Sequence, residues 1–207
     1  MKIKDRYLAL IRDSRFLGAL LSVTFAYITV FTFLRNPLMT ENTSSHIGLR
    51  YPAAFFLWQL LVGLSIVLGA LALYHKFDCP KPLRTIGKAL AWAIPPCQAI
   101  IYFVHGEVIG EEVVYPGATK PVHWAATIVF IVAVLACVGL AFLHARTRVR
   151  RFNILLGALA VILIGMLAVF FTIGKSGLFE SVPLWALLIM LFLAHCTPWF
   201  RVRAEKN

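Results

Sequence analysis

Acidic residues are scarce in this chain. Nine Asp and Glu stand against 20 Lys and Arg, a formal charge of +11. Charge of either sign is scarcer still in six long apolar stretches, at roughly 16–34, 52–74, 86–105, 121–143, 152–173 and 181–200. None of them holds an acid, and the one base within their limits is Lys88, at the edge of the third. A Schiff-base lysine of the retinal kind is therefore not expected in the body of any stretch. The HExxH spacing of zinc proteases and the GxSxG elbow of serine hydrolases are both missing. The four cysteines, Cys79, Cys97, Cys137 and Cys196, match no zinc spacing, and small apolar packing is the reading for each. No cofactor and no metal is expected.

What the chain does have is hydrophobic length. A hydrocarbon core of about 30 Å needs about 20 apolar residues per helix, and all six stretches are near that length. A hydrophobic content of 60% and a mean hydropathy of +0.83 agree. The expected fold is all-α: a single domain over 1–207, built as a bundle of six transmembrane helices. The first stretch follows a basic segment without a small-residue cleavage site, so it reads as a retained helix.

The basic residues alternate from connection to connection. One side collects Lys2, Lys4, Arg6, Arg12 and Arg15, then Lys76, Lys81, Arg84 and Lys88, then Arg146, Arg148, Arg150 and Arg151, and finally Arg201, Arg203 and Lys206. The other side has Arg35, Arg50, Lys120 and Lys175. Lys and Arg stay cytoplasmic when helices insert, so both termini are expected in the cytoplasm and the membrane is expected to be the plasma (inner) membrane. The positive charge then belongs to a membrane rim, and no nucleic-acid partner is implied. The four arginines of 146–151 read as a topology signal in a tight loop; holding an anionic lipid or a partner is the alternative.

Prolines mark several boundaries. Pro52, Pro121 and Pro183 fall in expected first helical turns, where a missing N–H costs little. Pro95 and Pro96 fall halfway along the third stretch and should kink it, turning Cys97 and Gln98 toward neighbours or a small polar cavity. Trp124 and Trp185 read as an outer aromatic belt, and Trp92 and Trp199 as an inner one. Ser65 with Gly69, and Gly157 with Gly165, have spacings that permit close helix contact.

The outer side is chemically richer. Five acids, Glu41, Glu107, Glu111, Glu112 and Glu180, meet four cations there, with His46, His105 and His123 at helix ends. These residue types suit acid–base chemistry or ligand binding, although their spacings match no established motif. Glu180 has a structural reason as well, because a helix N-terminus favours a carboxylate. A two-haem carrier fits poorly: His123 and His144 would stand about 31 Å apart on one helix at 1.5 Å per residue, outside the bundle interior that bis-His ligation needs. Asn42-Thr43-Ser44 is a glycosylation sequon in an outer loop.

Three passages, taken in order, resemble the DUF998 family of six-helix membrane proteins, and more distantly the Frag1/DRAM/Sfk1 group. They are Glu41-Asn42-Thr43-Ser44-Ser45-His46-Ile47-Gly48 leading into Pro52 and Phe55, Val114-Tyr115-Pro116-Gly117 with His123 six residues on, and Gly177-Leu178-Phe179-Glu180. His46 stands where the family pattern often has an acid, and Ser181 where it often has an arginine. The resemblance implies a lipid-related role, with Ser45, His123 and Glu180 as its recurring polar positions.

Three functions follow as expectations. The first is lipid binding, membrane organisation or support of a membrane-protein partner at the outer leaflet, without catalysis. The second is an intramembrane enzyme acting on a lipid, with His123, Glu180 and Ser45 as candidate catalytic residues. The third is a small-solute transporter using Gln98 and Gln59. Candidate ligand-binding residues are His46, Glu107, Glu111, Glu112 and Gln98, and membrane lipids are the expected partners.

Overall fold

The computed structural model describes residues 13–39, 42–109, 112–172, 174 and 176–200. Among these, seven α-helices run in the order α1 (Ser14–Thr32), α2 (Ser44–Arg50), α3 (Pro52–Lys76), α4 (Lys81–Phe103), α5 (Thr119–Ala145), α6 (Phe152–Thr172) and α7 (Gly177–Cys196). A two-stranded antiparallel hairpin, β1 (Glu107–Ile109) and β2 (Glu112–Val114), lies between α4 and α5, and a single 3-10 turn (Pro198–Phe200) follows α7. The chain is helical, as expected, apart from this hairpin.

Five helices, α1, α3, α5, α6 and α7, are long and apolar enough to cross a membrane, the architecture of an integral membrane protein. The third expected span is present as the 23-residue helix α4, but it is not among these five. Lys81, Arg84 and Lys88 lie in its first half, and Pro95, Pro96 and Gln98 dilute the second. Its two ends nevertheless reach opposite ends of the bundle. Gly87 lies against Tyr74 near the end of α3, and Val104, just past α4, meets His123 at the start of α5.

Helix α3 is the central element, touching α1, α4, α5 and α7. Of its most apolar window 61% is buried, against 11% for α6. Composition does not explain this contrast, because α6 is the more hydrophobic of the two. Lipid tails are as apolar as leucine, so burial in a bilayer is decided by packing and by polar contacts between helices, each of the latter worth about 0.6 kcal/mol on average. Helix α3 is supplied with such contacts. Ser65 shares a 2.7 Å hydrogen bond with Thr24 of α1. The Gln59 carbonyl accepts from Gln98 Nε2 of α4 at 2.8 Å. The Tyr74 hydroxyl donates to the Cys137 carbonyl of α5 at 2.8 Å. The Gly69 carbonyl lies 2.9 Å from His195 Nε2 of α7.

Local expectations fare unevenly. Pro95 and Pro96 lie inside a helix that continues through them, with their own rings exposed, and Cys97 and Gln98 are turned inward, as expected. The last helix starts at Gly177, so Pro183 stands inside it and not in its first turn. Gly69 does sit under Leu191 of α7, whereas Gly157 and Gly165 face open space, because α6 packs chiefly on α5 and α7 through Leu155 and Leu159. Trp185 is half-buried against Phe25, so it is a packing residue and not part of an exposed belt. Trp92, Trp124 and Trp199 are exposed.

Candidate functional site

The described residues expected on the outer side lie at one end of the bundle, the cap end. The connection after α1 folds over it. The Leu178 N–H of α7 donates to the Pro37 carbonyl at 3.0 Å. Asn42 Nδ2 donates to the Asn36 carbonyl at 2.9 Å. Gly177 lies so close to the Asn42 carbonyl that a Cβ there would collide with it. Asn42 is buried, with its amide nitrogen already engaged, so the sequon is shielded in the folded chain.

Glu180 holds the centre of this arrangement. It lies in the first turn of α7, where its sequence position puts it. Its Oε2 accepts from the Ser44 backbone N–H at 2.6 Å. Ser44 opens α2, whose N-cap Thr43 makes no side-chain capping bond. A glutamate from another helix therefore satisfies one of the donors that α2 leaves unpaired, at the positive end of that helix. One residue on, Ser181 Oγ is 2.6 Å from Thr32 Oγ1. The Thr32 hydroxyl also contacts the Ile28 carbonyl at 2.7 Å. A carbonyl only accepts, so the Thr32 proton goes to Ile28 and Ser181 donates to Thr32.

His123 is buried in the first turns of α5. Its Nδ1 is 2.8 Å from the Val104 carbonyl. A carbonyl only accepts, so Nδ1 carries the proton of this contact. The Tyr115 ring stands 5.7 Å from the imidazole. Burial raises the Tyr115 phenol above its ordinary value, and the Glu180 carboxylate nearby raises it further. Tyr115 thus packs beside His123 and feels the charge of Glu180, a role that its place in a Tyr-Pro-Gly turn did not signal.

The other candidates take different positions. Ser45 is half-buried in α2, with Oγ 3.3 Å from Thr43 Oγ1; it is the neighbouring Ser44, through its backbone, that meets Glu180. His46 is half-buried on the same short helix. Glu107 is exposed on β1, opposite Val114. Glu112 pairs with Ile109 through the strand register, but its side chain lies outside the described residues, as do Glu111 and Glu41 entirely. Gln98 is away from the cap, in the α3–α4 interface. Beside it, the Gln59 carboxamide and the Trp58 indole N–H are buried without a hydrogen-bond partner among the described residues, a cost of about 1–3 kcal/mol for each unsatisfied group. Between this layer and the cap lies an aromatic cluster of Phe31, Phe55, Trp58 and Tyr102, with centroids 5.7–6.1 Å apart. Among the described residues no group of three or more His, Cys, Asp or Glu is placed to hold a metal ion.

Fold and site together define a helical, multi-span membrane protein whose cap end is sewn shut by its own polar residues. No family model, curated protein or solved structure matches the chain.

Proposed function

We propose that this is a six-span protein of the plasma (inner) membrane, with both termini cytoplasmic and the cap end outside, that binds lipid or supports a membrane partner at the outer leaflet without catalysis. The resemblance to the DUF998 family belongs to the same proposal. One observation carries it: the acid and the base best placed for chemistry both hold backbone. Glu180 accepts from Ser44 N–H, and His123 holds the Val104 carbonyl. A general base needs to reach a substrate proton at about 2.6–3.2 Å, whereas these contacts serve to close loops over the helix ends. The exposed flanks of α6 offer apolar surface to lipid or to a partner helix.

Native mass spectrometry of the protein in mild detergent tests this reading. The expected spectrum carries a stoichiometric lipid or a partner subunit, and the lipid keeps its mass on incubation. Bare monomer after gentle extraction would sink the proposal. A lipid whose mass changes with time, and stops changing in Tyr115→Phe, would establish the second reading, an intramembrane enzyme. The specific observation favouring that reading is the Tyr115 ring beside His123, with its phenol raised by burial and by the Glu180 carboxylate.

Topology has its own test. In a Cys196→Ala background the remaining cysteines, Cys79, Cys97 and Cys137, are buried. The exposed positions Lys81, the first residue of α4, and Glu107, just beyond its end, mark the two ends of that helix. With single cysteines introduced there, an impermeant maleimide added to intact cells is expected to label Glu107→Cys and spare Lys81→Cys. Labelling of both or of neither would mean that α4 does not cross.

A further inference from the structure

At the end of the bundle opposite the cap, the chain passes from α5 to α6 through residues 146–151, a turn that holds four arginines. Backbone hydrogen bonds fix it. Arg146 N–H donates to Phe142, Arg148 and Val149 N–H to Ala145, and Asn153 and Ile154 N–H return to Arg150 and Arg151, all at 2.9–3.0 Å. The next residue, Phe152, is fully buried, with its ring against Phe77, Phe142 and Phe200. This ring cluster anchors the turn to the bundle. Arg151 lies over the Trp199 ring, 5.7 Å from its centroid, and donates to the Trp199 carbonyl at 3.3 Å. Trp199 is itself 68% exposed, and an exposed tryptophan at the end of a membrane helix marks headgroup depth.

The other three arginines, Arg146, Arg148 and Arg150, point outward and make no side-chain hydrogen bond to the described residues. The acids described at this end are Asp13 and Asp78, and Asp13 is occupied in capping α1 through the N–H groups of Arg15 and Phe16. On the helices that adjoin the turn, Leu143 of α5 and Ile154 and Val161 of α6 are exposed apolar residues. Planar guanidinium groups bind phosphate oxygens in a two-pronged way that an ammonium group cannot reproduce. Three exposed guanidinium groups on a turn held by backbone bonds, next to a helix with exposed apolar flanks, match a phosphate with acyl chains attached.

We propose that Arg146, Arg148 and Arg150 form a binding site for an anionic phospholipid, with its phosphate on the guanidinium groups and its acyl chains along α6. This goes beyond the function proposed above, which concerns the other end of the molecule. It also requires more than a topology signal, because diffuse rim charge does not select one lipid.

The test is thermal unfolding and native mass spectrometry of the full chain in neutral detergent, with added phosphatidylglycerol, phosphatidylcholine or glycerol phosphate. Phosphatidylglycerol is expected to raise the Tm and to remain bound, while the other two do neither. R146Q/R148Q/R150Q is expected to keep the Tm of the lipid-free protein and to bind phosphatidylglycerol about ten- to a hundredfold more weakly. Arg15→Gln, an exposed arginine at the same end, is expected to bind like the parent. Should the triple variant fail to fold, Arg148→Gln alone carries the test, with a severalfold loss expected. Unchanged phosphatidylglycerol binding in the arginine variants would overturn the site, and so would an equal loss in Arg15→Gln. Equal stabilisation by glycerol phosphate would overturn the lipid in favour of a free anion.

Discussion

Glu180→Ala is expected to lower stability by about 1–3 kcal/mol and to loosen the cap. The loss has two parts. A charge-assisted hydrogen bond at 2.6 Å disappears, and such bonds are about twice as strong as neutral ones. The Ser44 N–H, on a buried residue, is then left without its acceptor, and that orphan donor carries the larger share of the cost. Because α2 has no side-chain cap of its own, its N-cap residue does not replace the carboxylate. Glu180→Gln keeps an acceptor oxygen and is expected to cost less. Amide hydrogen exchange reads the local effect, with faster exchange over Ser44–Arg50 in Glu180→Ala and little change in α3. Parental exchange and an unchanged Tm would show that Glu180 does not hold the cap.

Gly87→Ala is expected to be the most damaging single methyl in the bundle. A Cβ at Gly87 would run into the Tyr74 ring. That ring is fully buried and is tied to the Cys137 carbonyl, while the Cys137 thiol donates to the Gly87 carbonyl at 3.5 Å. Three helices, α3, α4 and α5, thus meet around one tyrosine, and the phenol cannot step aside without giving up its bond. Overpacking of this kind costs about 1–3 kcal/mol. The control is Gly157→Ala on α6, where the new methyl meets nothing. There, removing a helical glycine is expected to be worth about 0.5–1 kcal/mol in the stabilising direction. Tyr74→Leu in the Gly87→Ala background is expected to recover part of the loss, a coupling that a double-mutant cycle detects. Equal Tm values for Gly87→Ala and Gly157→Ala would refute the close approach of α3 and α4.

Much of the architecture is legible from hydrophobic length alone. The start of α3 at Pro52 and the body of α5 need no tertiary information. The short elements of the cap are another matter. Helix α2 is seven residues long, too short for periodicity to declare itself. The β1–β2 hairpin has three residues per strand, and its Glu-Val-Ile and Glu-Val-Val runs are below the length at which alternation is a signal. Glu180 shows how a correct local reason can miss the role: its place at the start of α7 suits a carboxylate, yet the oxygen serves α2, 136 residues earlier in the chain. The resemblance passages drew attention to Ser45, but the contact belongs to the backbone of Ser44, and sequence motifs do not register backbone donors.

The cap has a consequence for how the molecule is made. Its fasteners, Thr32 to Ser181 and Ser44 to Glu180, join segments 149 and 136 residues apart. A ribosome adding about 5–20 residues each second delivers the second half of each fastener roughly 7–30 s after the first. During that interval α1 sits in the bilayer without its final neighbour, and the Ser44 donor waits unpaired. Of the described helices α7 emerges last, so a chain stalled before Gly177 holds Thr32 and the Ser44 N–H without the partners that fasten the cap.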